Sequence, residues 1–424
     1  MPEDTDVYEL EASPHDGGTV YVAASRYRTA NDFLPYLWKT ADYGKTWVNL
    51  SKNFPQTEIT RTIREDTVRK GLLFVGTETG VFASFDDGAS WKRLNLNLPA
   101  VPVHDMKIKD EDLCIATFGR SFWILDDISP LRQWDEKYRK QTSRLFKPRT
   151  HTRLGTNWWA LYGGGVGGGQ KNYFVQNGRM GHTFYELGIV NGERKRKYLD
   201  AGGARPYGAI IHYWLGEDAK DVSLSILDEN DQLIKTYKGD VLSQESGLNR
   251  MIWDMNYPDA IAVPGKPAPG IIVQAKVGTY KAKLTVNGKS EVQTFELKMN
   301  PNEKYTAEDS AARFELWWRL RSIFERSNRE IIAAMELAKE AGGDSEIAKR
   351  AKEFSGKLVP QGATLSEIAN EPPKMLSKLT TVSSVLFHSE GPPPQSAYDV
   401  VDEMEKEIDA EIEAWKAFKA EQGK

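Results

Sequence analysis

The chain has 424 residues and a formal net charge of −4, and this length predicts two to four domains rather than one core. The acidic balance and the lack of a basic run argue against a nucleic-acid-binding protein. No segment approaches the roughly 18 apolar residues of a membrane span, and no signal peptide opens the chain. We therefore expect a soluble chain with no membrane span and no export signal. The single cysteine, Cys114, excludes an intrachain disulfide; its apolar surroundings predict a buried strand thiol rather than a catalytic one.

Two copies of one octapeptide occupy residues 40–47 and 84–91, and both read [S/T]-x-D-x-G-x-[S/T]-W. An aspartate at this position is suited to accept backbone N–H bonds within a tight turn, and the glycine suits a positive φ. The tryptophan is expected to cover the turn with its apolar face. The expected turn residues are Asp42, Gly44, Trp47, Asp86, Gly88 and Trp91. Their repetition predicts a structural role in a repeat architecture, not a catalytic one.

Short strand-like runs surround both motifs and recur a third time, with a period of about 45 residues. Each of the first two units contains four runs, and the third contains three before its motif decays at 125–130. Four short antiparallel strands per unit are typical of β-propeller blades. Since a closed ring needs about four to eight blades, residues 1–133 are predicted to form a partial propeller of about three. The remaining blades would come from the same longer protein or from another chain.

Residues 18–133 resemble the last blades of bacterial-neuraminidase-repeat (Asp-box) propellers, in a group of bacterial exported proteins described as glycosyl hydrolase-like or sortilin-like. The segments that carry the resemblance are 36–47, 76–81 and 119–127. The resemblance implies that most of the propeller lies upstream of this chain. It also implies that the Asp boxes lie away from the ligand face and that the protein is periplasmic or secreted.

The rest of the chain divides into three predicted regions. Residues 134–205 are expected to be a linker with an insertion, and the glycine run at 163–169 lacks the ending of a phosphate-binding loop. Residues 206–300 alternate with period two and predict a β-sandwich, and segments 247–254 and 278–280 resemble the immunoglobulin-like domain of flagellar hook-cap proteins, usually an accessory or adhesion module.

Residues 301–424 change to helical periodicity, which predicts a helical bundle. A first helix is expected to open at Thr306 and to end at Gly342 and Gly343. Its predicted buried face comprises Trp317, Leu320, Phe324, Ile331 and Met335. The last helix has a predicted apolar stripe of Val401, Met404, Ile408, Ile412, Trp415 and Phe418. The whole chain is thus predicted to be mainly β with a C-terminal α region.

Strand geometry predicts which loops face a ligand. Because the boxes join the third and fourth strands of a blade, the loops of the opposite rim are those at 25–33, 77–80 and 118–121, with 51–59 and 97–102. The candidate ligand-face residues are Arg26, Arg28 and Arg120 in these loops, with His104 at the start of an inner strand. The candidate catalytic carboxylates are Glu58 and Glu78. Arginine and glutamate together suit a carboxylated sugar or a peptide terminus. The alternative for each residue is a rim salt bridge or a solvated charge.

The six histidines are scattered, and no metal-binding or nucleophile motif occurs, so we expect neither a metal site nor a cofactor. The first functional hypothesis is binding of a glycan or peptide, with the sandwich and helices supporting assembly. The second is a glycoside hydrolase, sialidase- or xyloglucanase-like, whose active site the missing blades complete. The third is a structural subunit of a hetero-complex. The sequence leaves open whether the completed protein is an enzyme.

Overall fold

The computed structural model describes residues 1–153, 171–176, 179–190, 193–198, 207–343, 345–360, 371–388 and 391–423. The chain is mainly β, with a helical C-terminal region, as predicted. The glycine run at 163–169 lies outside the described residues. Among the described residues, no helix combines the length and apolar character needed to cross a membrane.

The first third of the chain folds into three successive antiparallel sheets, which are the predicted blades of a partial propeller. The strands of the first are β1 (Asp6–Ala12), β2 (Val20–Arg26), β3 (Asp32–Thr40) and β4 (Val48–Asn49), with a short helix α1 (Tyr27–Ala30) after β2. Those of the second are β5 (Thr60–Glu65), β6 (Leu73–Thr77), β7 (Val81–Ser84) and β8 (Lys92–Arg93). Those of the third are β9 (Val103–Lys109), β10 (Asp112–Thr117) and β11 (Phe122–Leu125), followed by helix α2 (Ser129–Gln133). Within the described part of the chain, the third sheet has no fourth strand.

The second blade is covered on both faces, and its sequence reflects this. Successive residues of a strand point to opposite faces. Leu73 and Val75 of β6 join the core shared with the first blade, whereas Phe74 lies in the core shared with the third. The continuous apolar run of β6 therefore follows from its position between two neighbours.

The outer face of the third blade is uncovered. On this face the strand register places Cys114 beside Ile124, and Ala116 beside Phe122. Phe122 is 80% exposed and Ile124 is 58% exposed. Cys114 itself is half-buried, so the expectation of a buried thiol was wrong, because one side of its strand has no neighbouring blade. At the other end of the arc, Leu10 of β1 is 63% exposed.

Two sheets form the predicted β-sandwich, one in the order β12-β17-β20 and the other in the order β13-β22-β21-β18-β19. A third sheet has the order β14-β15-β16. Trp253, Tyr280 and Phe295 pack in the core of the sandwich. The strands of these sheets are β12 (Ser143–Leu145), β13 (His151–Arg153), β14 (Lys171–Gln176), β15 (Arg179–Val190), β16 (Glu193–Tyr198), β17 (Ala209–Leu215), β18 (Ser223–Leu227), β19 (Leu233–Lys238), β20 (Gly247–Trp253), β21 (Gly278–Val286) and β22 (Lys289–Met299).

The linker interpretation of residues 134–205 needs a correction. Strand β12 pairs with β17, and β13 pairs in parallel with β22, so both belong to the sandwich. Each has three residues, too few for a period of two to be recognised. The other domain boundaries remain predictions.

The C-terminal region consists of helices α3 (Ala307–Ala341), α4 (Glu346–Leu358), α5 (Met375–His388) and α6 (Gln395–Glu421). The predicted opening of α3 is confirmed: Thr306 and Asp309 form a reciprocal capping box, and the helix ends at Gly342. Four of the five predicted face residues of α3 are buried, but Met335 is exposed, so this position was predicted wrongly. The stripe of α6 from Val401 to Trp415 is buried, with Phe418 packed against the same core.

Candidate functional site

The two Asp boxes have the same hydrogen-bond pattern. Asp42 accepts bonds from the backbone N–H of Thr46 at 2.8 Å and from the hydroxyls of Thr40 and Thr46 at 2.9 and 2.7 Å. In the second box, Asp86 accepts from the N–H of Ser90 at 2.8 Å and from the hydroxyls of Ser84 and Ser90 at 2.8 and 2.6 Å. Each carboxylate is thus committed to its own turn.

The electrostatics of the boxes agree with this geometry. The hydrogen bonds from Thr46 hold the pKa of the Asp42 carboxyl below its usual range. Partial burial opposes ionisation of Asp86, but the bonds from Ser90 and Ser84 outweigh it and lower its pKa. Gly44 and Gly88 have φ values of 83° and 86°, a region that favours glycine. Carboxylates with lowered pKa values and filled acceptor sites are poor general acids.

The two box tryptophans behave differently. Trp47 folds over its turn and donates from Nε1 to the carbonyl of Gly44 at 3.1 Å. Trp91 instead packs edge-on against Phe54, with ring centroids 5.3 Å apart. Only in the first box does the tryptophan lie against its own turn, as expected. In the second box the tryptophan packs against Phe54 of the preceding connection instead.

Glu58 lies in the loop between the first two blades, where the sequence placed it, but its side chain is buried. Its carboxylate accepts hydrogen bonds from the hydroxyls of Thr77 at 2.8 Å and Thr79 at 2.7 Å, and Arg93 lies 3.1 Å away. These hydrogen bonds link the loop at 77–80 of the second blade to the connection at 51–59 that precedes this blade. The arrangement favours a structural role for Glu58 over that of an accessible acid.

Glu78 forms an ion pair with Arg61 of strand β5. The Arg61 guanidinium lies over the rings of Tyr8 and Tyr27, 5.0 and 5.1 Å from their centroids. It also donates to the Tyr27 hydroxyl at 3.1 Å, and Arg28 donates to the same oxygen at 2.7 Å. We call these five residues the Tyr27 cluster. It brings together two of the predicted residues, Arg28 and Glu78.

The pKa of the Tyr27 phenol is lowered: burial opposes ionisation, but the hydrogen bonds from Arg61 and Arg28 and the positive charge of Arg61 outweigh it. The sequence analysis missed Tyr8, Tyr27 and Arg61. Tyr27 and Arg28 are adjacent in the predicted ligand-face loop at 25–33. This neighbouring phenol and guanidinium could have indicated from the sequence that Tyr27 belongs to the site.

Arg26 is tied to its own hairpin. Its guanidinium lies 3.2 Å from Asp32, and the hydroxyl of Tyr36 donates to the same carboxylate at 2.5 Å. The hydrogen bond from Tyr36, together with one from the backbone of Leu34, lowers the pKa of Asp32. Arg26 therefore fits the alternative of a rim salt bridge.

The remaining predicted residues lie together on the third blade. His104 stacks on Phe118 with a centroid distance of 5.1 Å and an interplanar angle of 15°. The Phe118 ring is 69% exposed, and its backbone N–H donates to the carbonyl of Pro102 at 2.9 Å, which joins the two rim loops. Arg120 is exposed nearby in the same loop as Phe118. We call His104, Phe118 and Arg120 the third-blade patch.

No family model matches the chain, and no curated protein matches it. Solved structures that are similar in part include YCF48 bound to D1 peptide, at 15% identity and a TM-score of 0.19, covering 34% of this chain and 62% of that one. They also include the GH74 xyloglucanase from Xanthomonas campestris, at 12% identity and a TM-score of 0.23, covering 73% and 40%. An ancestral GH74 enzyme is 10% identical, with a TM-score of 0.23 and coverage of 69% and 46%.

The chain spans less than two thirds of the length of each of these structures. At these TM-scores the likenesses assign neither a family nor a ligand to the chain.

The loop face offers cationic and aromatic groups rather than a metal centre. Within the described residues, no three His, Cys, Asp or Glu side chains are grouped to hold a metal ion. Arg26, Arg61 and Arg93 each have a carboxylate partner. Arg28 and Arg120 have none within the described parts of the chain. These two guanidiniums are therefore available to a ligand.

Proposed function

We propose that the loop face of the partial propeller binds a carboxylate-bearing ligand, a glycan or a peptide, and that the Asp boxes are structural. The observation that carries this proposal is the pair Arg28 and Arg120, which extend from equivalent loops of the first and third blades without a carboxylate partner in the described structure. A guanidinium binds a carboxylate through two parallel hydrogen bonds. The exposed ring of Phe118 adds an apolar surface beside one of them.

We further propose that additional blades complete the ring, supplied by the same longer protein or by another chain. The exposed Phe122 and Ile124 at one end and Leu10 at the other support this, because a neighbouring blade would cover them. A completed ring would bring further loops to the same rim. In this proposal the sandwich and helices support assembly, and the protein acts in the periplasm or outside the cell.

A glycoside hydrolase remains the second candidate, and this chain's residues favour it less. Hydrolysis of a glycoside needs two carboxyl groups placed on either side of the sugar bond. Glu58 is buried and accepts hydrogen bonds from two threonines, and Glu78 forms an ion pair with Arg61. An active site would therefore require carboxylates from the missing blades. A purely structural subunit, the third candidate, would show no ligand dependence on Arg28 or Arg120.

Binding to the purified chain tests the proposal. The probes are a sialylated trisaccharide and a short peptide with a free C-terminal carboxylate, with the neutral trisaccharide core and the amidated peptide as matched controls. Arg28→Met and Arg120→Met are each expected to weaken binding by roughly 10-fold, the value of a charge-assisted hydrogen-bonded pair. Lys109→Met, which removes an exposed cation at the opposite rim, should leave the affinity unchanged.

The results separate the candidates. Selective binding of the carboxylated probe that both arginine variants weaken supports the proposal, and the better probe identifies glycan or peptide. Equal binding of the charged and neutral probes, or affinity that neither arginine variant changes, would overturn it.

A further inference from the structure

A cleft lies where the sandwich meets the helical region, and no blade residue lines it. Its volume is about 740 Å³. Four segments enclose it: the turn between β18 and β19, residues 257–258 after β20, the chain leading into β21, and the first part of helix α3. All of its lining residues belong to the described parts of the chain. Nothing in the proposed function of the loop face uses this cleft.

One wall of the cleft is aromatic. Phe314 and Trp318 are four residues apart on α3, so they lie on one face of the helix. Their rings stack at 5.7 Å with an interplanar angle of 20°. Tyr257 packs against both rings, at centroid distances of 5.6 and 5.0 Å. These contacts fix a rigid apolar surface that is only half-buried.

The remaining lining carries more negative than positive charge. Three carboxylates, Asp228, Glu229 and Glu315, line the cleft with two cations, Lys276 and Arg321. Glu315 is exposed and has no hydrogen-bond or ion-pair partner within the described part of the structure. One carboxylate oxygen of Asp228 accepts hydrogen bonds within its own turn, from the backbone N–H groups of residues 230 and 232 at 2.9 and 2.8 Å.

Two cations of the lining, Lys276 and Arg321, already contact its aromatic rings. The Lys276 ammonium lies 5.8 Å from the centroid of Phe314 and 3.8 Å from a carboxylate oxygen of Glu229. Arg321 lies over Trp318 at 5.3 Å and donates to the carbonyl of Pro258 at 2.9 Å. An ammonium between an aromatic ring and a carboxylate is thus already present once in the cleft. Glu315 offers a second carboxylate for another such group.

We propose that this cleft binds an organic cation, an ammonium or guanidinium group on an apolar stem. The stem would lie along the aromatic wall, and the charged group would pair with Glu315 and the acidic turn. An anion would meet the excess of carboxylates. The cation could come from a free polyamine or from a lysine side chain of a peptide.

Calorimetric titration of the full chain tests the proposal. The probes are spermidine and a short lysine-containing peptide, each compared with its fully acetylated form, in which the charge is removed. Glu315→Gln is expected to weaken binding of both charged probes by roughly two- to fivefold, the value of a solvent-exposed ion pair. Ala311→Arg places a cation and extra volume among the lining residues and is expected to abolish binding.

The matched control is Glu336→Gln, which neutralises another exposed glutamate of the same helix, outside the cleft and with no ion-pair partner among the described residues. It should leave the affinity unchanged, and thermal unfolding of each variant reports whether the fold is retained. If Ala311→Arg does not fold, Glu315→Gln and the acetylated probes still decide the outcome. Equal binding of charged and acetylated probes, absence of binding to wild type at millimolar concentration, or equal effects of Glu315→Gln and Glu336→Gln would each overturn the proposal. Binding of spermidine alone or of the peptide alone identifies the source of the cation.

Discussion

Arg64 donates a hydrogen bond to Asp105 at 2.7 Å and thereby joins the inner strands of the second and third blades. The same guanidinium lies 2.7 Å from Glu9 and 3.3 Å from Glu11 on the inner strand of the first blade. It also donates to the carbonyl of Met106 at 2.6 Å. One side chain, 13% exposed, therefore connects all three blades.

Replacing Arg64 should destabilise the arc. Arg64→Met removes the shared cation and leaves carboxylates of neighbouring blades without their partner, so the free energy of unfolding should fall by about 1–3 kcal/mol. Burial already raises the pKa of Glu11 against the opposing charge of Arg64, and loss of Arg64 should raise that pKa further. Denaturant unfolding measures the change. Lys109→Met, at an exposed pair, should change stability by less than about 0.5 kcal/mol; equal effects of the two variants would contradict the connecting role of Arg64.

The Asp boxes should stabilise the blades in a pH-dependent way. Asp86→Ala leaves a backbone N–H and two hydroxyls without their acceptor, so we expect a loss of about 1–3 kcal/mol. The folded-state pKa values of Asp42 and Asp86 are lowered. Their contribution is therefore present above the unfolded-state pKa and is lost as the pH falls through the folded-state value.

Unfolding titrations from pH 7 to pH 2 should consequently show a shallower acid loss of stability in Asp86→Ala than in wild type. Glu407→Ala, which removes an exposed carboxylate from helix α6, serves as the control. If the acid slopes of wild type and Asp86→Ala coincided, the carboxylate would not be coupled to folding.

The blades were predictable because the strand alternation and the box turns are local features of the sequence. Strand β6 and the two boxes fall where the repeat placed them. The site was less predictable because its contacts are between distant segments. The loop position of Glu58 did not show that Thr77 and Thr79 would bury its carboxylate.

The same limit applies to the Tyr27 cluster. Arg61 belongs to a strand of the second blade, and it reaches Tyr27 across the blade boundary. A pattern within one blade gives no information about such a contact, so the lowered pKa of this phenol could not be anticipated.

Tyr27 should ionise at lower pH than an ordinary tyrosine. Burial opposes its ionisation, but the hydrogen bonds from Arg61 and Arg28 and the charge of Arg61 outweigh it, and the pKa is lowered. The difference in ultraviolet absorbance between wild type and Tyr27→Phe, followed from pH 7 to pH 12, isolates this phenol from the other tyrosines. Arg28→Met removes one donor and should shift the titration to higher pH, whereas Arg120→Met should not. A Tyr27 titration at or above the usual value near 10 would refute the described hydrogen bonding.

The two faces of strand β11 should respond differently to substitution. Trp123 packs against the core between the second and third blades, whereas Phe122 and Ile124 face the uncovered side. Threonine is β-branched and therefore suits a strand at all three positions. Trp123→Thr should therefore reduce the free energy of unfolding by about 2–4 kcal/mol, and Phe122→Thr and Ile124→Thr by less than about 1 kcal/mol.

Cys114 provides an independent measurement on the same uncovered face, because it pairs in register with Ile124. Burial and the charges of Asp112 and Asp126 raise the pKa of its thiol, so alkylation at pH 7 should be slow and should accelerate at higher pH without unfolding. Ile124→Thr should leave the alkylation rate of Cys114 unchanged or increase it. If Ile124→Thr destabilised the chain as much as Trp123→Thr, and Cys114 reacted only after unfolding, another part of this chain would cover the face. The inference that a further blade is needed there would then fail.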